Sequence, residues 1–177
     1  NELFEIYLID GLSTILAPMS KESQRYATDS LKAIGVIIKL GQVVKDFSNG
    51  IVQLADGTTI ETSNLIWTAG VIAEVFKGLP ESSYGKGKRL VVDEFNKLKG
   101  QNNIYAIGDT SIMTSDPAFP QGHPQLAQVA IQQAKLLASN ILSENKPHKL
   151  KSFVYNDKGS MAIIRRNRAV ADLKGPI

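Results

Sequence analysis

The order of the first three segments constrains the fold most: a short apolar run, a capped helical stretch and a second short apolar run. Glu5 to Ile9 reads as a buried strand, and Asp10-Gly11 closes it with a turn. Ser20 offers a side-chain oxygen as an N-cap, so a helix is predicted from Lys21 to Ile34 with Gly35 as its C′ residue. Tyr26, Ala27, Leu31 and Ile34 recur at helical spacing and are its predicted inward set. Val36 to Leu40 is short and β-branched, which predicts a second strand. A strand-helix-strand unit points to the α/β class.

The rhythm then changes. Gln42 to Phe47, Ile51 to Leu54 and Thr58 to Thr62 are separated by Ser48-Asn49-Gly50 and Asp56-Gly57. Asn and Gly tolerate positive φ, so these are hairpin turns and the stretch reads as a three-stranded meander. Asn64 to Trp67 is predicted as a further strand, and Ile72 to Phe76 as a short helix. Residues 77–103 are rich in Gly, Pro, Ser and Lys and read as a linker, with a small strand at Arg89 to Val92. Ile104 to Ile107 reads as a buried strand ending at Gly108-Asp109, and the longest helix is predicted over 124–144. Its apolar set is Leu126, Val129, Ala130, Leu137 and Ile141. Three strands close the reading, at 152–156, 160–165 and 168–173.

Composition removes several chemistries. The chain has 177 residues and no cysteine, which excludes a disulfide scaffold, a cysteine nucleophile and a cysteine-held zinc within it. Two distant histidines, His123 and His148, argue against a histidine metal site, and no metal is expected. Missing cysteine fits a reducing compartment. No Ser-His-Asp set, paired carboxylates or phosphate-cradling loop stands out, so hydrolase and kinase chemistry lack support. The net charge of +3 is too small to argue for nucleic acid. It conceals a switch: residues 1–144 carry 12 basic and 15 acidic side chains, residues 145–177 carry 8 and 2. That basic end is either a solvated tail or a segment suited to an anionic membrane surface. No run is long enough to span a bilayer.

Three places could hold chemistry. Asp10 follows the first strand, where an acid in a dinucleotide-binding fold accepts from the adenine-ribose hydroxyls; it could equally be a plain turn residue. Asp109 follows a buried run and a glycine that admits close approach, so its carboxylate faces a ligand crevice or simply an exposed turn. Gln125, Gln128 and Gln132 share one helix face beside Ala127 and Ala130, and no charge occurs over 124–134. Neutral amides there suit an uncharged polar ligand such as a flavin edge or a quinone carbonyl, or they are exposed helix formers.

These residues carry a resemblance. Asn103-Ile104-Tyr105-Ala106-Ile107-Gly108-Asp109 is similar to the second flavin motif of the two-dinucleotide-domain reductases. Ala127-Gln128-Val129-Ala130-Ile131-Gln132-Gln133 resembles the motif of type II NADH:quinone oxidoreductases, single-subunit enzymes without a proton pump. Trp67-Thr68-Ala69-Gly70-Val71 and Arg89-Leu90-Val91-Val92-Asp93-Glu94 resemble that family too, in the same order. The resemblance implies electron transfer from NADH through FAD to a quinone. It implies Asp10 on the NADH ribose, Ala69 and Gly70 along the nicotinamide, and Gly108 and Asp109 at the flavin ribityl and phosphate region. Ala127 and Gln128 would meet the isoalloxazine edge, with Gln128 and Gln132 toward the quinone.

The same resemblance implies partial Rossmann-like FAD/NAD(P) domains. Residues 1–78 would be the back of an NADH-binding domain, 79–145 the last part of an FAD-binding domain, and 146–177 the start of an α+β C-terminal domain. Neither expected Gly-rich turn is present, so the chain reads as a fragment cut at both ends and inactive by itself. A homodimer is expected, lying peripherally on the cytoplasmic face of the cell membrane through the C-terminal part. Two other readings stay open: another NAD(P)H flavoprotein reductase of the same superfamily, or a non-enzymatic basic binding module.

Overall fold

The computed structural model describes residues 4–143 and 150–174. They fall into two compact units divided at Ala69/Gly70 and at Asp157/Lys158, the last stretch of chain joining the first.

The first unit starts with β1 (Ile6–Asp10), α1 (Lys21–Lys32) and β2 (Val36–Leu40). β1 and β2 pair in parallel from Ile6↔Val36 to Asp10↔Leu40, so the strand-helix-strand reading holds. Ser20 Oγ accepts the Ser23 N–H at 3.2 Å, as an N-cap should. The helix stops at Lys32 because Ile34 N and Gly35 N donate to Leu31 O and Lys32 O, tightening the last turn to i→i+3 bonds. The predicted inward set needs correction. Ser23, Gln24 and Ala27 are buried, whereas Tyr26 and Ile34 are exposed. The inward face does polar work: Gln24 Nε2 donates to Met19 O at 2.7 Å, and Gln24 Oε1 accepts from Thr14 Oγ1 at 2.9 Å.

β3 (Val44–Ser48), β4 (Ile51–Leu54) and β5 (Thr59–Glu61) form the expected antiparallel meander. Asn49 and Gly50 both adopt positive φ, 50° and 74°, the two-residue turn whose twist matches the strands. Val52 and Leu54 point inward. The unit ends in the hairpin β8 (Gly159–Arg165) and β9 (Arg168–Leu173), which packs on α1.

Some predicted elements are absent. Residues 64–67 find no ladder partner among the described residues, and Trp67 is 61 % exposed; an apolar run is a strand only where a neighbour completes its hydrogen bonds. Residues 72–76 are not helical because their backbone is engaged elsewhere. Ala73 N donates to Gly87 O, and Phe76 exchanges two bonds with the Tyr84 hydroxyl.

The second unit contains β6 (Leu90–Val92), β7 (Ser111–Met113) and α2 (Ala127–Leu142). β6 and β7 pair in parallel, a strand and a pairing the sequence did not announce. The predicted strand at 104–107 is an extended run with one bridge, Lys97↔Tyr105. The 77–103 stretch is no linker: Leu90, Val92 and Leu98 join Ala106, Met113, Val129, Phe153 and Tyr155 in the core. α2 begins three residues later than predicted, since Leu126 is extended and serves as the N-cap position. The predicted end at 144 lies outside the described residues. Its buried stripe is Val129, Gln133 and Asn140, while Leu126 and Ile141 are exposed.

The predicted strand at 152–156 is instead an irregular segment held by side chains of α2 and by the Phe153 N–H bond to Glu94 O. Asn140 exchanges two bonds with the Lys151 backbone (2.9 and 3.0 Å), and Gln132 does the same with Asn156 (2.9 and 3.0 Å). An amide carries a donor and an acceptor at peptide spacing, so it replaces a neighbouring strand one residue at a time.

Candidate functional site

Within the second unit, the site grows from the end of the 104–107 run. Ala106 is buried and fixes the approach. Gly108 then turns the chain at φ +62°. A Cβ placed there would lie 3.0 Å from Ala130 Cβ of α2, so the turn and the helix can be this close only without a side chain. Gly108 N donates to the buried Gln133 Oε1 at 2.6 Å. Gly108 O accepts from Ser111 Oγ at 3.1 Å, starting β7. Asp109 is exposed, and its carbonyl accepts from Gln125 Nε2 at 3.4 Å.

The helix side is uncharged. Ala127 is exposed and Gln128 half-buried, on the first turn of α2, where Leu126 supplies no side-chain cap. An uncapped helix start carries partial positive charge toward whatever faces it. The structure thus brings Gly108, Asp109, Ala127 and Gln128 onto α2 and the turn it supports. Gln132 is half-buried, with both ends of its amide engaged by Asn156.

In the first unit, Asp10 ends β1. Its Oδ1 accepts from Leu12 N at 2.9 Å, and its carbonyl accepts from Gln42 N. One carboxylate oxygen therefore fixes the turn. Ala69, the last residue of this stretch of the first unit, and Gly70, the first of the second, are exposed, with Gly70 at φ +113°.

Sequence reasoning missed a buried polar group that Arg89 links to Ser111. His123 is 2 % exposed and its Nε2 lies 2.9 Å from Asp116 Oδ2. Phe119, Phe153 and Tyr155 surround the imidazole at ring distances of 5.1 to 5.8 Å. The His123 hydrogen bond, with the Ala118 N–H, holds the Asp116 carboxyl below its ordinary range. Arg89 ties the region together: Nε donates to Ser111 O at 2.6 Å and a terminal nitrogen to His123 O at 3.2 Å. Burial lowers the Arg89 pKa, and the nearby Asp109 charge opposes that. Nothing in the local sequence signals the pair, because the seven-residue separation and three prolines between 117 and 124 give no periodicity.

The donor set fits FAD. An exposed carboxylate accepts from hydroxyls, a side-chain-free turn admits close approach, and neutral amides suit the uncharged edge of a flavin. Among the described residues there is no acidic or histidine cluster able to hold a metal ion.

Comparison with known proteins agrees with that chemistry. The model of the pyridine nucleotide-disulphide oxidoreductase family matches residues 3–134. The chain is 36 % identical to the type II NADH:quinone oxidoreductase Ndh of Mycobacterium tuberculosis, over 97 % of this chain and 38 % of that protein. It is 29 % identical to the type II NADH:quinone oxidoreductase of Haemophilus influenzae, over 98 % of this chain and 39 % of that protein. The chain therefore spans about two fifths of these relatives. Among solved structures, NDH2 of Plasmodium falciparum in complex with NADH superposes with a TM-score of 0.83 at 17 % identity, covering 97 % of this chain and 50 % of that one. A ferredoxin reductase from Rhodopseudomonas palustris gives 0.69 at 20 % identity, covering 89 % and 38 %. The fold is the mixed α/β, Rossmann-like fold of flavin- and nicotinamide-nucleotide reductases.

Proposed function

The chain belongs to the pyridine nucleotide-disulphide oxidoreductase family, and we propose that it is the central-to-late part of a type II NADH:quinone oxidoreductase. One observation carries this reading: the Gly108–Asp109 turn is pinned by Gln125, just ahead of α2, and by Gln133 within its uncharged first half. FAD, when bound, supplies the redox chemistry that links NADH to a quinone. The chain's own residues bind and orient. Asp109 offers its carboxylate to flavin hydroxyls, and Gly108 keeps the turn open to them. Ala127 and Gln128 present a small surface and a neutral amide to the flavin edge. Gln128 also faces the quinone, and Gln132 shapes that side through the Asn156 backbone it holds. Asp10 receives the NADH ribose, and the backbone of Ala69 and Gly70 lines the nicotinamide.

On this reading residues 1–78 contribute to NADH binding, 79–145 to FAD binding, and 146–177 begin a C-terminal domain. No helix among the described residues is long and apolar enough to cross a membrane. The basic C-terminal part gives peripheral contact with an anionic membrane at its cytoplasmic face, and the working enzyme is a homodimer.

The test uses the full-length protein loaded with FAD. NADH should reduce it, and a soluble quinone should reoxidise it. Gln128→Ala should slow the reoxidation about tenfold or more while flavin reduction by NADH stays within about twofold, in stopped-flow traces. Reoxidation by quinone at the wild-type rate would remove Gln128 from the site. Reduction of a disulfide or a ferredoxin in preference to quinones would assign the chain to another branch of the family.

A further inference from the structure

Gln133 has no part in the contacts assigned so far to NADH, flavin or quinone, yet it is 1 % exposed. It sits on the buried stripe of α2 with Val129, beside a core of apolar side chains. A buried amide is retained at a cost unless its hydrogen bonds are made. Its Oε1 accepts the Gly108 N–H at 2.6 Å. Gly108 is itself buried, at φ +62°, with Ala130 Cβ 3.0 Å from where a side chain would begin. Next along the chain, Asp109 O accepts from Gln125 Nε2 at 3.4 Å. The peptides on both sides of the Gly108–Asp109 step are thus each tied by a glutamine, the first by Gln133 within α2 and the second by Gln125 just ahead of it. The Asp109 side chain leaves from a backbone that has little freedom, and it leaves toward solvent.

We propose that Gln133 is a positioning residue: through the Gly108 peptide it presets where the Asp109 carboxylate meets the hydroxyl-bearing part of the flavin. The proposal rests on the flavin reading given above. Preorganisation matters here because a turn free to reorient must be ordered at the moment of binding, which weakens affinity without removing any contact. An apolar residue at 133 could fill the same volume but would offer no oxygen to the Gly108 N–H.

The experiment compares full-length wild-type protein with Gln133→Met, which keeps the volume and drops the acceptor, and Gln133→Glu, which restores a side-chain oxygen. Three readouts are taken: FAD affinity of the apoprotein by flavin fluorescence, amide exchange of Gly108 by NMR, and the thermal midpoint. Q133M should bind FAD about tenfold more weakly and exchange the Gly108 amide faster, while Q133E stays within about threefold of wild type. Should Q133M not fold, Gln133→Asn, one methylene short of Gly108, is read the same way. Unchanged FAD affinity and unchanged Gly108 exchange in the acceptor-free variant would overturn the positioning role alone. Equal loss of FAD in Q133M and Q133E would also overturn it, since packing and not the oxygen would then matter. A wild-type protein that takes up no FAD would overturn the flavin reading itself, and this proposal with it.

Discussion

α1 and α2 begin in opposite ways. The N-terminus of α1 is closed by the protein's own chain. Ser20 caps it locally, and Asp172 of β9 accepts from Ser20 N, Ser20 Oγ and Ser23 Oγ. A carboxylate placed on the positive end of a helix removes that end as a place for a ligand anion. The N-terminus of α2 has no side-chain cap, and its first turn carries Ala127 and Gln128. The two helices nevertheless share a device: each buries one glutamine that holds the backbone of another segment, Gln24 on Met19 O and Gln133 on Gly108 N. The difference teaches that a helix used for structure has its terminus satisfied internally. α2, which the proposed function places at the flavin, lacks a side-chain cap and has its loop secured from the side by Gln133.

Three substitutions probe that contrast, in descending order of effect. Gly108→Val should be the most damaging, because it forces a β-branched residue to positive φ and drives a side chain into Ala130. The cost should be about 2–4 kcal/mol in a denaturant melt, with loss of FAD. A fully stable Gly108→Val protein would mean that the turn and α2 are not held together as described.

Asp116→Ala comes next. It leaves the His123 imidazole without its carboxylate in a box of three aromatic rings, at about 1–3 kcal/mol. Its thermal midpoint should fall by several degrees, and His123→Phe, which fits the aromatic surroundings, should relieve part of the loss in the double variant.

Asp172→Asn should have the smallest effect, read as a change in acid stability. Hydrogen bonds from Ser23 and Ser20 hold the Asp172 carboxyl below its usual range. A carboxyl lowered in the folded state contributes stability above its unfolded pKa of about 3.9, and the contribution is lost as pH falls through the lower folded value. Asp116 adds to the same acid-side slope, since its carboxyl is lowered too. The Asp172→Asn variant should therefore match wild type most closely at the lowest pH tested and fall behind as pH rises past the carboxylate range. A constant gap across that range would show that Asp172 is not ionised in its cap role.

Much of the fold was legible because its signals are local. The cap at Ser20, the Asn49-Gly50 turn and the β-branched run at Val36–Leu40 each act through neighbours within a few residues, and the structure has those elements within one or two positions. Where a segment's partner was distant, the local signal misled. The 64–67 and 152–156 runs are apolar enough to be strands, yet the first has no ladder among the described residues and the second is held by Gln132 and Asn140. The candidate site was readable as a list: glycine and acid after an apolar run, glutamines on one helix face. Its supports were not.

The sequence by itself determined the α/β alternation, the meander, the closing hairpin and the residue types of the candidate site, because period, capping and turn chemistry are written in adjacent residues. Only the tertiary structure decided that Asp172 caps a helix some 150 residues earlier, that Asp116 and His123 pair in an aromatic box, and that Gln133 holds the Gly108 turn. Each of those contacts joins groups whose spacing along the chain carries no information. Burial selects them: a polar group removed from water must find its partner wherever the packed chain has brought one.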